Sequence, residues 1–138
     1  MFLGFDHLDM RVANLRAVEM FYDAFLPRLG LTKKVYAVVR GDDWRFSDEP
    51  SPGYNAVEFH EPQSGAKYFF GIIEDPEHHP TSTRIAFRVA NRAAIDEWIA
   101  LLPTLGARNV EACEEMETYP AVFFEDPLGT KLELLSRR

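Results

Sequence analysis

The chain has 138 residues, of which 46% are hydrophobic and 13% aromatic, enough for one compact domain with its own core. Its net charge is −7, so it lacks the basic face that a nucleic acid or an anionic membrane surface requires. No apolar run is long enough to cross a bilayer, the first residues lack the pattern of a signal peptide, and Cys113 is the single cysteine; the expected compartment is the cytoplasm.

Phe5, His7, Asp9 and Arg11 alternate with Leu8, Met10 and Val12, a period of two that predicts a strand with one polar and one apolar face. Asn14 is a candidate cap for the helix expected next. Val18, Phe21, Tyr22, Phe25 and Leu29 recur there at helical spacing, and Gly30 is a natural stop. Residues 31–39 read as a second strand. Residues 41–53 are polar, hold Pro50 and Pro52, and read as a loop. Residues 56–60 and 67–73 are the third and fourth strands, joined by a turn through Pro62, Ser64 and Gly65. After the linker 74–80 the order returns: strand 84–89, helix 92–105 with Ile95, Trp98, Ile99 and Leu102 on its face, and strands 107–112, 121–125 and 130–135.

The second half therefore repeats the first. Arg11-Val12-Ala13-Asn14 returns as Arg88-Val89-Ala90-Asn91, and Leu26-Pro27-Arg28-Leu29-Gly30 as Leu102-Pro103-Thr104-Leu105-Gly106. Tyr54-Asn55-Ala56-Val57-Glu58-Phe59 returns as Tyr119-Pro120-Ala121-Val122-Phe123-Phe124. Matched landmarks in one order define two βαβββ units, 3–73 and 81–136, within a single domain of 1–138. One helix covers only one face of its sheet. The class expected is α+β, a curved mixed sheet with outer helices and an internal cleft.

Strand parity lists the cleft side. The first strands give it His7, Asp9 and Arg11, with Arg84, Ala86 and Arg88 in the repeat. The third give Tyr54, Glu58 and His60, with Tyr119 and Phe123. The last give Lys67, Phe69 and Gly71, with Lys131, Glu133 and Leu135. Polar side chains where a buried sheet face would want apolar ones point to a wet cleft.

The pattern resembles the vicinal oxygen chelate superfamily, which includes glyoxalase I, bleomycin- and fosfomycin-resistance proteins and extradiol dioxygenases. The residues that carry the resemblance are Asp6-His7-Leu8-Asp9-Met10-Arg11-Val12, Phe21-Tyr22, Ile85-Ala86-Phe87-Arg88-Val89 and the run from Phe124 through Asp126-Pro127-Leu128-Gly129 to Glu133-Leu134. It implies a small-molecule ligand and a homodimer. It also implies a divalent metal held from the first and last strands of each unit, where His7 and Glu133 match the family's ligand positions. The repeat aligns Arg84 with His7 and Phe69 with Glu133, so two of the four positions cannot coordinate. A guanidinium stays protonated and has no lone pair to give. The metal is therefore disfavoured, and no other cofactor is indicated.

The candidate catalytic residues are His7 and Glu133, which are also the remaining metal candidates. Arg84, Tyr119, His60, Glu58 and Phe69 are the candidate substrate contacts. The simplest reading of Arg84 with Glu133 is a salt bridge; the sharper one is a clamp for a carboxylate or phosphate, held in position by Glu133. Cys113 lies among Glu111, Glu114 and Glu115, which disfavour a thiolate. His78 and His79 read as surface residues. The function expected is binding or transformation of a small, anionic, oxygen-rich metabolite at an altered or absent metal site. The alternatives are a metal-dependent lyase or dioxygenase with a shifted ligand set, in which Glu58 and His60 join His7 and Glu133, and a non-catalytic drug-binding protein using Phe69, Phe123, Tyr54, Tyr119 and Trp44.

Overall fold

A computed structural model describes residues 1–62 and 68–137. Two units are distinguished by their internal contacts, Met1–Arg16 with Tyr22–His78, and Ala17–Phe21 with His79–Arg138. The elements run β1 (His7–Val12), α1 (Leu15–Phe25), β2 (Lys33–Arg40), β3 (Asp43–Ser47), β4 (Ala56–His60), β5 (Phe69–Glu74), β6 (Arg84–Arg88), α2 (Arg92–Leu101), β7 (Arg108–Ala112), β8 (Ala121–Glu125) and β9 (Lys131–Leu135). Each helix closes with a short 3-10 turn, Pro27–Leu29 and Leu102–Leu105. The α+β class and the repeated βαβββ order are those the sequence predicts.

The first unit carries a five-stranded sheet in the order β1-β5-β4-β2-β3, and the second a four-stranded sheet in the order β6-β9-β8-β7. In both, the first strand pairs parallel with the last, and the other pairings are antiparallel. The helix faces form the cores. Tyr22 stacks on Phe70 with ring centroids 5.9 Å apart, and Val57, Phe59 and Ile72 are buried on the same side. In the second unit Phe21 packs 6.5 Å from Phe124, with Ile95, Leu102, Val122, Leu132 and Leu134 buried.

Local chemistry sets the helix ends. The Leu15 N–H donates to Glu74 Oε2 at 2.9 Å. Asn91 caps α2 by accepting from the Ala94 N–H at 3.0 Å. Both 3-10 turns end on a left-handed glycine, Gly30 at φ 94° and Gly106 at φ 98°.

One element differs from the sequence reading. Residues 41–53 are not all loop, because β3 folds back on β2 as a hairpin. Trp44 stands opposite Val39 and packs with it on a buried cluster of Ala37, Ala56 and Ile73. The prolines and charges on either side mask the short alternation of Asp43, Trp44, Arg45 and Phe46. The turn at Ser64 and Gly65, and the start of the fourth strand at Lys67, lie outside the described residues.

Candidate functional site

The face of the first sheet turned away from its helix is polar, as parity requires. His7, Asp9 and Arg11 are exposed along β1, while Met10 and Val12 between them are buried. Pairing places His7 opposite Phe69 and Phe69 opposite His60, so three rings lie in one row across β1, β5 and β4. They stack, His7 on Phe69 at 4.4 Å and Phe69 on His60 at 4.6 Å between centroids. His60 Nε2 lies 2.9 Å from Glu58 Oε1, and His7 Nδ1 lies 2.7 Å from Asp6 Oδ1. The Asp6 hydrogen bond raises the His7 pKa above 6.5, and the carboxylates of Asp9 and Glu58 add to it.

The structure brings His7, Phe69, His60 and Glu58 onto one face, but Phe69 separates the two imidazoles. A shifted metal site that uses both histidines is therefore not assembled here. Among the described residues no group of three or more His, Cys, Asp or Glu side chains is placed to hold a metal.

Register also corrects the internal alignment. His7 pairs with Phe69 and Arg84 pairs with Lys131, so Phe69 corresponds to Lys131. Asp9 pairs with Gly71 and Ala86 with Glu133, so the counterpart of Glu133 is Gly71, two residues beyond the Phe69 that repeat matching assigned. A shift of two preserves parity, which is why the face prediction survives it. Gly71 has a reason of its own, because a Cβ there would collide with Asp9 Oδ1. The four metal-ligand positions that the resemblance implies then fall on His7, Gly71, Arg84 and Glu133.

The second unit holds a cavity of about 550 Å³ lined by Arg84, Tyr119, Phe123, Cys113 and the carboxylate side chains of Glu111, Glu114 and Glu115. Glu133 is 6% exposed, and its Oε1 accepts from the Tyr119 hydroxyl at 2.6 Å. That hydrogen bond and partial burial push the Tyr119 phenol above 10, so the hydroxyl stays protonated and donates at neutral pH. The guanidinium of Arg84 lies 4.8 Å over the Phe123 ring. The expected Arg84–Glu133 salt bridge is not formed. Arg84 stands opposite Lys131 rather than Glu133, Phe123 offers a flat face for its guanidinium, and Tyr119 has taken the carboxylate.

These residues do not fit the divalent metal that the fold family implies. Gly71 has no ligand atom, Arg84 has no lone pair, and a Glu133 oxygen is engaged by a hydroxyl proton. The other sequence candidates have structural partners. Tyr54 lies beneath Arg16 at 3.6 Å, with Tyr36 edge-on to it at 5.0 Å. Trp44 stacks on Phe46 at 5.8 Å. His79 is exposed, and the His78 N–H closes a turn on Asp75 O at 2.9 Å.

Sequence reasoning gave Glu111, Glu114 and Glu115 no place in a site. What brings Glu111 in is a bulge in β7 between Arg108 and Glu111. Asn109 sits within it at φ 51°, and its Nδ2 donates to Glu125 Oε2 at 3.1 Å. An Asn in a run of mixed polarity signals such a left-handed position only weakly.

The fold is shared with solved structures. A glyoxalase/bleomycin resistance protein from Albidiferax ferrireducens aligns over 97% of this chain and 98% of its own, with a TM-score of 0.63 at 22% identity. The fosfomycin resistance protein FosX from Mesorhizobium loti aligns over 100% and 94%, with a TM-score of 0.63 at 16% identity. A mutant FosX from Listeria monocytogenes, solved with Mn(II) and dihydroxypropylphosphonic acid, aligns over 98% and 90% with a TM-score of 0.58 at 16% identity. At these identities the likeness is one of fold, and the chain has the fold of the vicinal oxygen chelate superfamily. No protein-family model and no curated protein sequence matches it. Among the described residues no helix is long and apolar enough to cross a membrane.

Proposed function

We infer that the protein binds, and moves protons on, a small anionic oxygen-rich compound held in the cavity of the second unit. One observation carries this reading. Arg84 lies on Phe123 at the cavity wall and, among the described residues, makes no ion pair. A guanidinium with its donors free is a ready receptor for a carboxylate, phosphate or phosphonate oxygen pair. It supplies positive charge at a position where the resembling family places a metal ligand.

Tyr119 and Glu133 form a proton-handling pair beside it. The phenol lines the cavity and donates to the buried carboxylate behind it. A ligand oxygen that meets the phenol can accept its hydrogen bond or pass a proton through it to Glu133. His7, His60, Glu58 and Phe69 remain proposed ligand-facing groups on the open face of the first unit, with His7 a second proton carrier. The metal-dependent lyase or dioxygenase reading is the less favoured one, because its ligand positions hold Gly71 and Arg84.

The test titrates the unaltered protein with methylphosphonate and, separately, with Zn(II), Ni(II), Fe(II) and Mn(II). Methylphosphonate is expected to perturb the NMR signals of Tyr119 and Cys113, and Arg84→Met is expected to abolish the response. Stoichiometric metal bound through His7 and Glu133 would overturn the reading and establish a metalloprotein.

A further inference from the structure

We propose that the cavity of the second unit selects a zwitterion, with the acid group of the ligand on Arg84 and an ammonium group of the same ligand on the carboxylates of Glu111 and Glu114. The proposal rests on the anion-binding role of Arg84 inferred above and adds the second half of the ligand.

The reasoning begins with the charge of the wall. Arg84 is the one cation among the described lining side chains, which include three glutamates, Glu111, Glu114 and Glu115. Arg137 lies 5.0 Å over the Tyr119 ring and is not among the lining residues. Glu115 is partly used, since it accepts from Thr118 Oγ1 at 3.3 Å. Among the described residues, Glu111 and Glu114 have no side-chain partner. A ligand that is only an anion would gain one guanidinium and face a net negative wall, which opposes it. A ligand carrying both signs, separated along its length, is attracted at both ends.

The strand geometry shows why Glu111 faces the cavity. Arg108 stands opposite Glu125. Continued without interruption, that register would set Glu111 opposite Val122, which is fully buried on the helix face. The bulge adds one residue to β7, so Glu111 stands opposite Phe123 instead, on the side that carries Arg84 and Glu133. Bulges re-aim side chains beside functional sites. This one sets Glu111 on the face that carries Arg84 and Glu133 and leaves Ala112 opposite Val122.

Phe123 lies between the two poles. It carries the guanidinium on its face and pairs with Glu111 across the strands. The ligand class is therefore a compact molecule with a carboxylate or phosphonate at one end, a primary or quaternary amine at the other, and a short spacer that lies along the Phe123 ring.

The experiment compares 2-aminoethylphosphonate with ethylphosphonate, which has the same acid and spacer but no amine. Affinity is read by calorimetry, and occupancy by the slowing of Cys113 alkylation. On the unaltered protein the amine-bearing compound is expected to bind about five- to tenfold more tightly, the effect of two partly solvated charge pairs. The Glu111→Gln, Glu114→Gln double variant is expected to bring the two compounds level. Equal affinities on the unaltered protein, or a preference that survives both substitutions, overturn the zwitterion and leave the Arg84 anion site standing. If neither compound protects Cys113, or if Arg84→Met binds both as the parent does, the anion site itself fails and the zwitterion with it. The two-compound comparison needs no variant to fold.

Discussion

Tyr119→Phe isolates one hydrogen bond. The substitution keeps the ring and its packing and removes only the hydroxyl that donates to Glu133 Oε1 at 2.6 Å. The acceptor is a carboxylate only 6% exposed, and Glu133 has no second hydrogen-bond donor among the described residues. Hydrogen bonds to charged groups contribute about 1.5–3 kcal/mol, and a buried acceptor left without its donor loses a similar amount. The phenol is only partly buried and water can reach its place, so the lower half of that range applies, about 2 kcal/mol. For a domain of this size that corresponds to a fall in Tm of roughly 6–8 °C.

The assay is thermal and urea unfolding of the parent, Tyr119→Phe, Glu133→Leu and the double variant. A coupling energy of at least about 1 kcal/mol is expected between the two sites. If Tyr119→Phe stays within about 0.5 kcal/mol of the parent, or the two substitutions are additive, the pair is not holding the carboxylate and the argument for Tyr119 as a proton handler collapses. The pH dependence has a definite sign. The folded phenol ionises above 10, so its contribution is complete below the unfolded value and is lost as pH rises through the folded value. Tyr119→Phe should lose that alkaline segment of the stability curve, and the tyrosinate absorbance titration should lose one step above 10.

Gly71→Ala is expected to destabilise by about 1 kcal/mol, because the new methyl must displace the Asp9 carboxylate; Asp9→Ala should relieve most of that cost, and additive effects in a double-mutant cycle would refute the contact. His7 should titrate above 6.5 in an NMR pH series, and Asp6→Asn should lower it. Its stabilising contribution is present below 6.5 and fades as pH rises through the raised value; titration at or below 6.5 would remove the Asp6 hydrogen bond from the account. The protein is expected to be a homodimer, given the exposed Phe2, Leu3, Phe5 and Phe46; light scattering should give about twice 15.8 kDa, and the monomer mass at high micromolar concentration would refute it.

What was legible in the sequence followed from periodicity. Alternation along β1 separated His7, Asp9 and Arg11 from Met10 and Val12, and pairing converts that parity into the ring row of His7, Phe69 and His60. Repeat matching located the halves but misjudged a register by two residues, because Gly71 and Phe69 have the same parity and only the backbone pairing distinguishes them. β3 was missed because its apolar residues number two, Trp44 and Phe46, between prolines and charges. The side-chain partners of the site were the least legible part. Whether Arg84 turns to Glu133 or to Phe123 depends on one row of sheet register and on a competing tyrosine fourteen residues from that glutamate in sequence.

The differences between the two halves bear on chemistry for a physical reason. Apart from the extra strand β3 of the first unit, the units have the same order of elements, so the backbone offers both the same strand faces. Where both halves need only a core, apolar residues answer each other, Met10 with Phe87 and Ile72 with Leu134. Where the first unit has Gly71 and an exposed Asp9 beside it, the second has Glu133 and Ala86, so the carboxylate has moved one strand over within the same row. Where the first has Glu58 hydrogen-bonded to His60, the second has Phe123 under a guanidinium. The first unit pairs Asp6 and Glu58 with imidazoles, while the second pairs Glu133 with a phenol, and among the described residues Arg84 makes no ion pair. Arg84 lines the cavity beside that phenol, which is why the proposed ligand site lies in the second unit.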